Sequence, residues 1–283
     1  MCSAVVERFA PSPTGLLHLG HAFSALTAFD AAREGRFLLR MEDIDTARSR
    51  PQFEAAIYDD LRWLGLTWET PVWRQSQRLS HYAAAVDRLT DLGLTYRCVC
   101  TRADIKAALS APQEGVAFGP DGPVYPGTCR DAGHNAAGAA IRLNMRKALQ
   151  HIEGEMFYEE IGGATPMADC TPEALISQIG DVVLARRDIG TAYHVAVVVD
   201  DAAQGITHVT RGADLAPATP IHVLLQRLLG LPTPIYRHHR LIRDETGKRL
   251  AKRDDARAIR AYLEAGETPE SVRAMLGLTP SGA

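Results

Sequence analysis

The sequence predicts a doubly wound α/β fold on a parallel sheet, with an inserted subdomain and a short helical C-terminal segment. Three observations carry that expectation. The chain opens as strand, tight turn and helix. Strand-like and helix-like runs then alternate, with polar loops at the strand ends. A stretch poor in apolar anchors interrupts the alternation near the middle. A length of 283 residues suffices for one large α/β domain with a sizeable insertion.

The opening strand is Val5 to Phe9, a short β-branched and apolar run. Pro11-Ser12-Pro13-Thr14-Gly15 follows as a rigid turn, because two prolines fix φ and Gly15 supplies a permissive backbone. From Leu17 a helix is expected, with His18, Ala22, Ala25, Leu26 and Phe29 at helical spacing. Phe37 to Met41 is the second strand, and Glu42-Asp43-Ile44-Asp45 lies at its carboxyl end. Pro51 to Leu64 and His81 to Leu92 read as amphipathic helices. Residues 101–139 are rich in Gly, Ala, Pro and Asp and read as an insertion that needs help to hold its shape. The sheet is expected to resume with Asp181 to Leu184, Tyr193 to Asp200 and Thr207 to Thr210. Pro220 to Leu229 reads as a helix, and the segment from Leu250 is polar and helical in character. The expected division is 1–97 and 176–253 for the two halves of a nucleotide-binding domain, 98–175 for the insertion and 254–283 for the C-terminal segment.

Composition excludes some classes. Hydrophobic residues at 46% and charged residues at 23% describe an ordinary globular chain rather than a disordered one. A net charge of -3 does not advertise a nucleic-acid partner, although a local basic face can coexist with an acidic remainder. No apolar run approaches the ~20 residues of a membrane helix. The longest strand-like stretch, Val195 to Val199, stops at Asp200 and Asp201. Met1 to Glu7 shows no basic region followed by an apolar one, so no signal peptide is expected and the expected compartment is the cytoplasm. Five cysteines, an odd and sparse set, argue against a disulfide framework.

Two motifs carry chemistry. His18-Leu19-Gly20-His21 puts two histidines at the start of a helix, where unpaired N–H groups and a partial positive charge attract phosphate. Gly20 lacks the Cβ that would block close approach of a base or ribose. Taken alone, this is a capped helix with surface histidines. Late in the chain stands the basic loop Arg249-Leu250-Ala251-Lys252-Arg253. A lysine reaching in from that end can neutralise charge developing on an α-phosphate and on pyrophosphate. Alone it is a solvated charged loop.

Together the two motifs resemble the HIGH and KMSKS signatures of class I aminoacyl-tRNA synthetases, whose Rossmann-like catalytic domain matches the expected fold. Arg8-Phe9-Ala10-Pro11-Ser12-Pro13-Thr14-Gly15 resembles the opening of glutamyl-tRNA synthetases, and Arg211-Gly212-Ala213-Asp214-Leu215 resembles a later element of theirs. The resemblance implies that Arg8 and Arg211 bind the side-chain carboxylate of L-glutamate, a role that suits two guanidinium groups. It implies that Glu42 holds the α-ammonium, that Ser12 and Tyr193 complete the pocket, and that His18, Gly20, His21 and Lys252 serve ATP with Mg²⁺. Two features depart from the pattern: Ala251 stands where serine is usual, and Leu19 replaces isoleucine.

Only 31 residues follow Lys252, too few for the anticodon-reading domain of an ordinary glutamyl-tRNA synthetase. Over nearly the whole chain, including Ala196 to Val209, the sequence is similar to the glutamyl-Q tRNA(Asp) synthetase family. That family resembles a truncated glutamyl-tRNA synthetase and attaches glutamate to queuosine in the anticodon stem-loop of tRNA(Asp). The similarity implies a ligase that activates glutamate without tRNA; a monomer with no membrane partner is expected. Two other readings stay open: an adenylate-forming enzyme with a different acceptor, and a catalytically silent binding module.

Cys98 and Cys100 precede Tyr125 and Cys129 in the insertion. Thiolates are good zinc ligands, and a weakly cored insertion gains stability from a closed tetrahedral site. Three cysteines alone leave the fourth ligand open. The family's Cys-x-Cys…Tyr-x-x-x-Cys arrangement implies Tyr125, with His134 as rival, and hence one structural Zn²⁺. Other features carry no site. Gly247-Lys248 lacks the glycine a Walker loop needs, Ile242 standing there. His238-His239 reads as a solvated loop, and Trp63, Trp68 and Trp73 as packing.

Overall fold

A computed structural model of the chain describes residues 4–109, 117–163, 167–243 and 257–278. The first half alternates strand and helix: β1 (Val6–Phe9), α1 (Leu19–Ala31), β2 (Arg36–Met41), α2 (Pro51–Trp63), β3 (Glu69–Arg74) and α3 (Leu79–Asp91). β1 pairs in parallel with β2, and β2 with β3. The middle holds β4 (Thr95–Cys98), α4 (Arg102–Leu109), β5 (Phe118–Gly119), β6 (Gly122–Pro123), β7 (Ala140–Leu143), α5 (Met145–His151), β8 (Phe157–Glu159) and β9 (Met167–Asp169). The one-turn α6 (Pro172–Ala174) runs into a π-helical turn at Leu175–Ile179, and β10 (Val183–Ala185) follows. The second half returns to α/β with α7 (Tyr193–Ala203), β11 (His208–Gly212), α8 (Thr219–Leu229) and β12 (Ile235–His239). Two short helices, α9 (Ile259–Glu264) and α10 (Pro269–Met275), come last.

The two halves join along one seam. β11 pairs in parallel with β12. The Thr207 N–H donates to the Val6 carbonyl at 3.0 Å, and Glu7 on β1 accepts from the Thr210 hydroxyl at 2.7 Å and from its N–H at 3.2 Å. The spatial order is therefore β3-β2-β1-β11-β12, with the order reversing between β1 and β11. In open α/β sheets a ligand crevice opens at such a reversal, outside the carboxyl ends of the strands.

Side chains alternate across this sheet. On β2, Phe37, Leu39 and Met41 enter one apolar cluster with α1, α2, Ile259 and Val272 of the last two helices, and Leu276 just after α10. Leu38 enters the other, with residues of α3, α7 and α8. Helices thus cover both faces, as a doubly wound fold requires. α1 lies close to the sheet because Ala22, Ala25 and Ala28 form its buried side, flanked by Phe23 and Leu26. α8 stops at Gly230, whose φ of 64° supplies the left-handed turn that closes many helices.

The structure corrects two expectations. Tyr193 to Asp200, expected as a strand, is helix α7. Its Val-rich run favours a strand by local propensity, but it is apolar on all sides because the helix is buried all round. The 181–184 run also leaves the parallel sheet: β10 pairs antiparallel with β7, which pairs antiparallel with β4. The C-terminal helices are held at α1, where Arg273 forks onto Asp30 at 2.8 and 2.9 Å and the Ile259 N–H donates to the Leu17 carbonyl at 2.8 Å.

Candidate functional site

A cavity of about 550 Å³ opens at the reversal between β1 and β11. Arg8, Ser12, His18, Gly20, His21, Glu42, Tyr193 and Arg211 all line it. Residues spread over two hundred positions of sequence therefore meet at one place.

At one end lies the start of α1. His18 is its N-cap: Nδ1 accepts from the Gly20 N–H at 3.1 Å, while His21 Nδ1 accepts from the His18 N–H at 3.2 Å. The two rings stand 3.8 Å apart between centroids. A neutral imidazole accepting at Nδ1 carries its proton on Nε2. The cap thus fixes both rings as Nε2–H donors at a helix N-terminus, a place that favours an anion. Gly20 has a nearer constraint than a ligand, since a Cβ there would meet the His18 ring at 3.0 Å.

The floor of the cavity is a buried charge lattice. Arg8 Nε donates to Asp201 Oδ1 at 3.1 Å, and Arg40 NH1 donates to the same oxygen at 2.7 Å. Arg40 also reaches Gln204 at 2.9 Å and Glu42 at 3.4 Å. Burial works against the Asp201 charge, but Arg8 and Arg40 outweigh it and hold that carboxyl below the usual range. For Glu42 burial wins and raises the pKa against the pull of Arg40 and Arg8. Burial also raises Tyr193, aided by the neighbouring Glu42 charge. Asp200 completes the lattice by accepting from Arg78 and from the Tyr82 hydroxyl, each at 2.7 Å.

Arg211 is fixed from the β11–β12 side. Its NH2 donates to Thr219 Oγ1 at 2.7 Å, NH1 to His222 Nδ1 at 3.0 Å and Nε to His238 Nε2 at 3.3 Å. Two buried guanidinium groups, each locked by its own partners, thus share one cavity with a carboxylate.

A second cluster lies in the inserted region. The sulfurs of Cys98, Cys100 and Cys129 lie within 4.8 Å of one another, the one group of potential metal ligands found among the described residues. The Tyr125 hydroxyl is 3.5 Å from Cys98 Sγ and 3.4 Å from Cys100 Sγ, and it accepts from the Cys129 N–H at 2.9 Å. His134, the rival ligand, is exposed and outside the cluster. The cluster could hold a metal ion.

Lys252 and the rest of the Arg249–Arg253 loop lie outside the described residues, as do Gly247 and Lys248. His238 and His239 are not a solvated loop: they end strand β12, His238 bonded to Arg211 and Glu160, His239 against the cavity. Asp201, Arg40, His222 and His238 are parts of the site that sequence reasoning missed. Their signal was present in one case only: Asp200 and Asp201 are paired acids inside an otherwise apolar run.

The chain is similar over nearly its whole length to proteins of one family. The model of the family described as tRNA synthetases class I (E and Q), catalytic domain, matches residues 4–282. The chain is 58% identical over 278 residues to a protein of Rhodobacter capsulatus named glutamyl-Q tRNA(Asp) synthetase, covering 97% of this chain and 100% of the relative. A protein of the same name from Nocardia farcinica is 46% identical, over 96% of this chain and 85% of its own. Among solved structures, the glutamate-tRNA synthetase of Elizabethkingia anophelis superposes with a TM-score of 0.69 at 27% identity, over 89% of this chain. A glutamate tRNA ligase of Elizabethkingia meningosepticum, solved in complex with its amino acid, gives 0.69 at 28%. The chain spans 53% and 52% of those two structures.

Proposed function

The chain belongs to the class I (E and Q) tRNA synthetase family of ligases, and from that premise we propose that it activates L-glutamate with ATP and transfers the glutamyl group to queuosine in the anticodon stem-loop of tRNA(Asp). One observation carries the activation step: Arg8 and Arg211, from distant parts of the chain, share a cavity with Glu42 and the histidine-capped start of α1.

In this reading Arg8 and Arg211 take the side-chain carboxylate of glutamate, Glu42 takes the α-ammonium, and Ser12 and Tyr193 close the pocket. Two fixed cations favour a side chain that is an anion over the neutral amide of glutamine. An oxygen of the α-carboxylate attacks the α-phosphorus of ATP; the bond from that phosphorus to the bridging oxygen breaks, and pyrophosphate leaves. His18 and His21 donate from Nε2 to the phosphates while Gly20 borders the nucleotide, and Lys252 joins them by its place in the sequence. Mg²⁺ bound with ATP supplies counter-charge. No protein nucleophile takes part, so catalysis rests on positioning and pre-set charge. A ring hydroxyl of queuosine then attacks the activated carbonyl, and AMP leaves. Queuosine rests on the names of the relatives.

The insertion at 98–175 is proposed to be stapled by one structural Zn²⁺ on Cys98, Cys100, Tyr125 and Cys129. A tetrahedron with Zn–S of about 2.3 Å and Zn–O of about 2.0 Å has S···O edges of about 3.5 Å and S···S edges of about 3.8 Å. The separations of 3.4 and 3.5 Å from the Tyr125 oxygen to two sulfurs lie close to the S···O edge, and the 3.4 Å from Cys100 Sγ to Cys129 Sγ is about 0.4 Å shorter than the S···S edge, so the metal would part these two sulfurs slightly. The flanking segments 1–97 and 176–253 form the catalytic halves, and 254–283 the helical C-terminal segment. A cytoplasmic enzyme fits this substrate; among the described residues no helix is long and apolar enough to cross a membrane.

Glutamate-dependent exchange of labelled pyrophosphate into ATP, without tRNA, tests the first step. Exchange is expected; its absence leaves a binding module. Charging tRNA(Asp) with and without queuosine tests the acceptor. Labelling only of the queuosine form is expected, whereas equal labelling of both, or of neither, removes that acceptor.

A further inference from the structure

Arg211 stands at the centre of a hydrogen-bond chain that runs out of the cavity in two directions. On one side, its NH1 meets His222 Nδ1 at 3.0 Å, His222 Nε2 meets His194 Nδ1 at 3.0 Å, and His194 Nε2 meets both carboxylate oxygens of Asp121 at 3.1 Å. On the other, its Nε meets His238 Nε2 at 3.3 Å, and His238 Nδ1 meets Glu160 Oε1 at 2.9 Å. Asp121 lies in the turn between β5 and β6, and Glu160 follows β8 and bridges in parallel to Tyr236 of β12, so both anchors come from the middle region, Glu160 where that region meets the edge of the parallel sheet.

The direction of every link is determined. A guanidinium only donates and a carboxylate only accepts. Arg211 therefore forces His222 to accept at Nδ1, which puts the proton on Nε2. That proton is given to His194 Nδ1, and His194 must give its own Nε2 proton to Asp121. The same logic makes His238 accept at Nε2, from Arg211 and from the Thr219 hydroxyl at 3.0 Å, and donate from Nδ1 to Glu160. Any other tautomer sets two N–H groups head to head. Burial together with the Arg211 charge holds His222 well below the usual imidazole range, which keeps this ring neutral. Burial likewise lowers His238.

The chain also decides what Arg211 has left to offer. Its five N–H groups lose one from Nε to His238, one from NH1 to His222 and one from NH2 to Thr219. One N–H remains on each terminal nitrogen, which is the pair needed to grip both oxygens of a carboxylate.

We propose that Asp121, His194, His222, His238 and Glu160 are positioning residues: two carboxylate-anchored imidazole arms that set the guanidinium of Arg211 for the substrate carboxylate. The middle region thereby contributes to amino-acid affinity without touching the amino acid. This inference rests on the reading of Arg211 as a glutamate ligand.

The test is pyrophosphate exchange at varied glutamate and varied ATP, with thermal unfolding alongside. His222→Gln keeps an acceptor and a donor in one side chain, and His222→Leu keeps neither. His222→Leu is expected to raise the KM for glutamate about ten- to hundred-fold, the loss of a hydrogen bond to a charged group, with the KM for ATP unchanged. His222→Gln is expected to recover most of that loss. Should His222→Leu fail to fold, Asp121→Ala serves at the half-exposed end of the chain. There the glutamate KM is expected to rise about three- to ten-fold, with Asp121→Asn, still an acceptor, near wild type. Equal KM values in wild type and in Asp121→Ala, or a matched rise for glutamate and ATP in either variant, overturn the relay. Wild-type protein without glutamate-dependent exchange sinks the functional reading instead, so the two failures are distinct.

Discussion

Asp201→Asn tests the charge lattice under the cavity. One oxygen, Asp201 Oδ1, takes Arg8 at 3.1 Å and Arg40 at 2.7 Å, and the side chain is only 7% exposed. The variant removes the negative charge between two buried guanidinium groups and leaves a neutral acceptor. Removing one partner of a buried ion pair costs about 3–5 kcal/mol. The low end, about 3 kcal/mol, applies here because the amide oxygen still accepts and Arg40 keeps Gln204 and Glu42. With an unfolding entropy of about 2.1 cal/mol/K per residue, 283 residues give about 0.6 kcal/mol/K, hence a fall in Tm of about 5 °C. The pH dependence has a definite sign. The folded pKa of Asp201 lies below its unfolded value, so its stabilisation is complete above the ordinary carboxylate range and is lost as pH falls through the folded value. The gap between wild type and variant is therefore full at pH 7 and closes only in acid. Thermal unfolding at several pH values measures it, and exchange kinetics add a second readout, because Arg8 loses the charge that anchors it and the KM for glutamate rises. A Tm within about 1 °C of wild type at pH 7, or a gap that persists unchanged into strong acid, refutes the lattice as described.

Other perturbations have equally definite outcomes. Glu42→Gln is expected to lower glutamate-dependent exchange at least about a hundred-fold, the loss of a charged contact worth about 3 kcal/mol. Burial raises the folded pKa of Glu42, so its ionisation costs stability as pH rises from about 4 through that raised value. Unfolding curves should then show the variant gaining on wild type over that rise. Arg211→Lys keeps the charge but loses the fork, and kcat/KM for glutamate is expected to fall about a hundred-fold with the ATP dependence intact. Metal analysis should find about one zinc per chain in wild type and little in Cys129→Ser, with a lower Tm in the variant; a folded, metal-free wild type ends the zinc assignment.

How much of this was legible in the sequence depends on whether a residue announces its chemistry alone or only through a partner. Arg8, Ser12, His18, Glu42 and Arg211 sit next to turns and strand ends, where polar residues stand out, and the structure brings them into one cavity. Cys98, Cys100, Tyr125 and Cys129 are unusual residue types at short spacing, and they meet. His222 and His194 each stand between apolar or aromatic neighbours in their helices, and nothing in those neighbours tells a packed histidine from a link in a chain. Arg40 looked like one charge in a strand, yet it is fully buried against two acids and Glu42. Such residues are defined by what faces them across some 160 positions of chain, and spacing along one strand does not carry that information.

The misread element explains why those partners stayed hidden. Between Tyr193 and Asp201 lie eight steps of chain, about 26 Å in a strand and about 12 Å in a helix. Only the shorter span lets both residues act on Arg8: burial works against its charge, but Asp201, then Glu7 and more weakly Tyr193, hold its pKa raised. A strand at this position would have placed Asp200 and Asp201 on opposite faces of the sheet. As a helix, α7 turns Asp201 to Arg8 and Arg40 and Asp200 to Arg78 and Tyr82. Local propensity favours the strand through Val195, Val197, Val198 and Val199, and it is overruled where the pocket needs two buried acids on one rigid rod. Conflict between local preference and final structure is expected at a functional site, and here it marks the element whose Asp201 holds Arg8 in place.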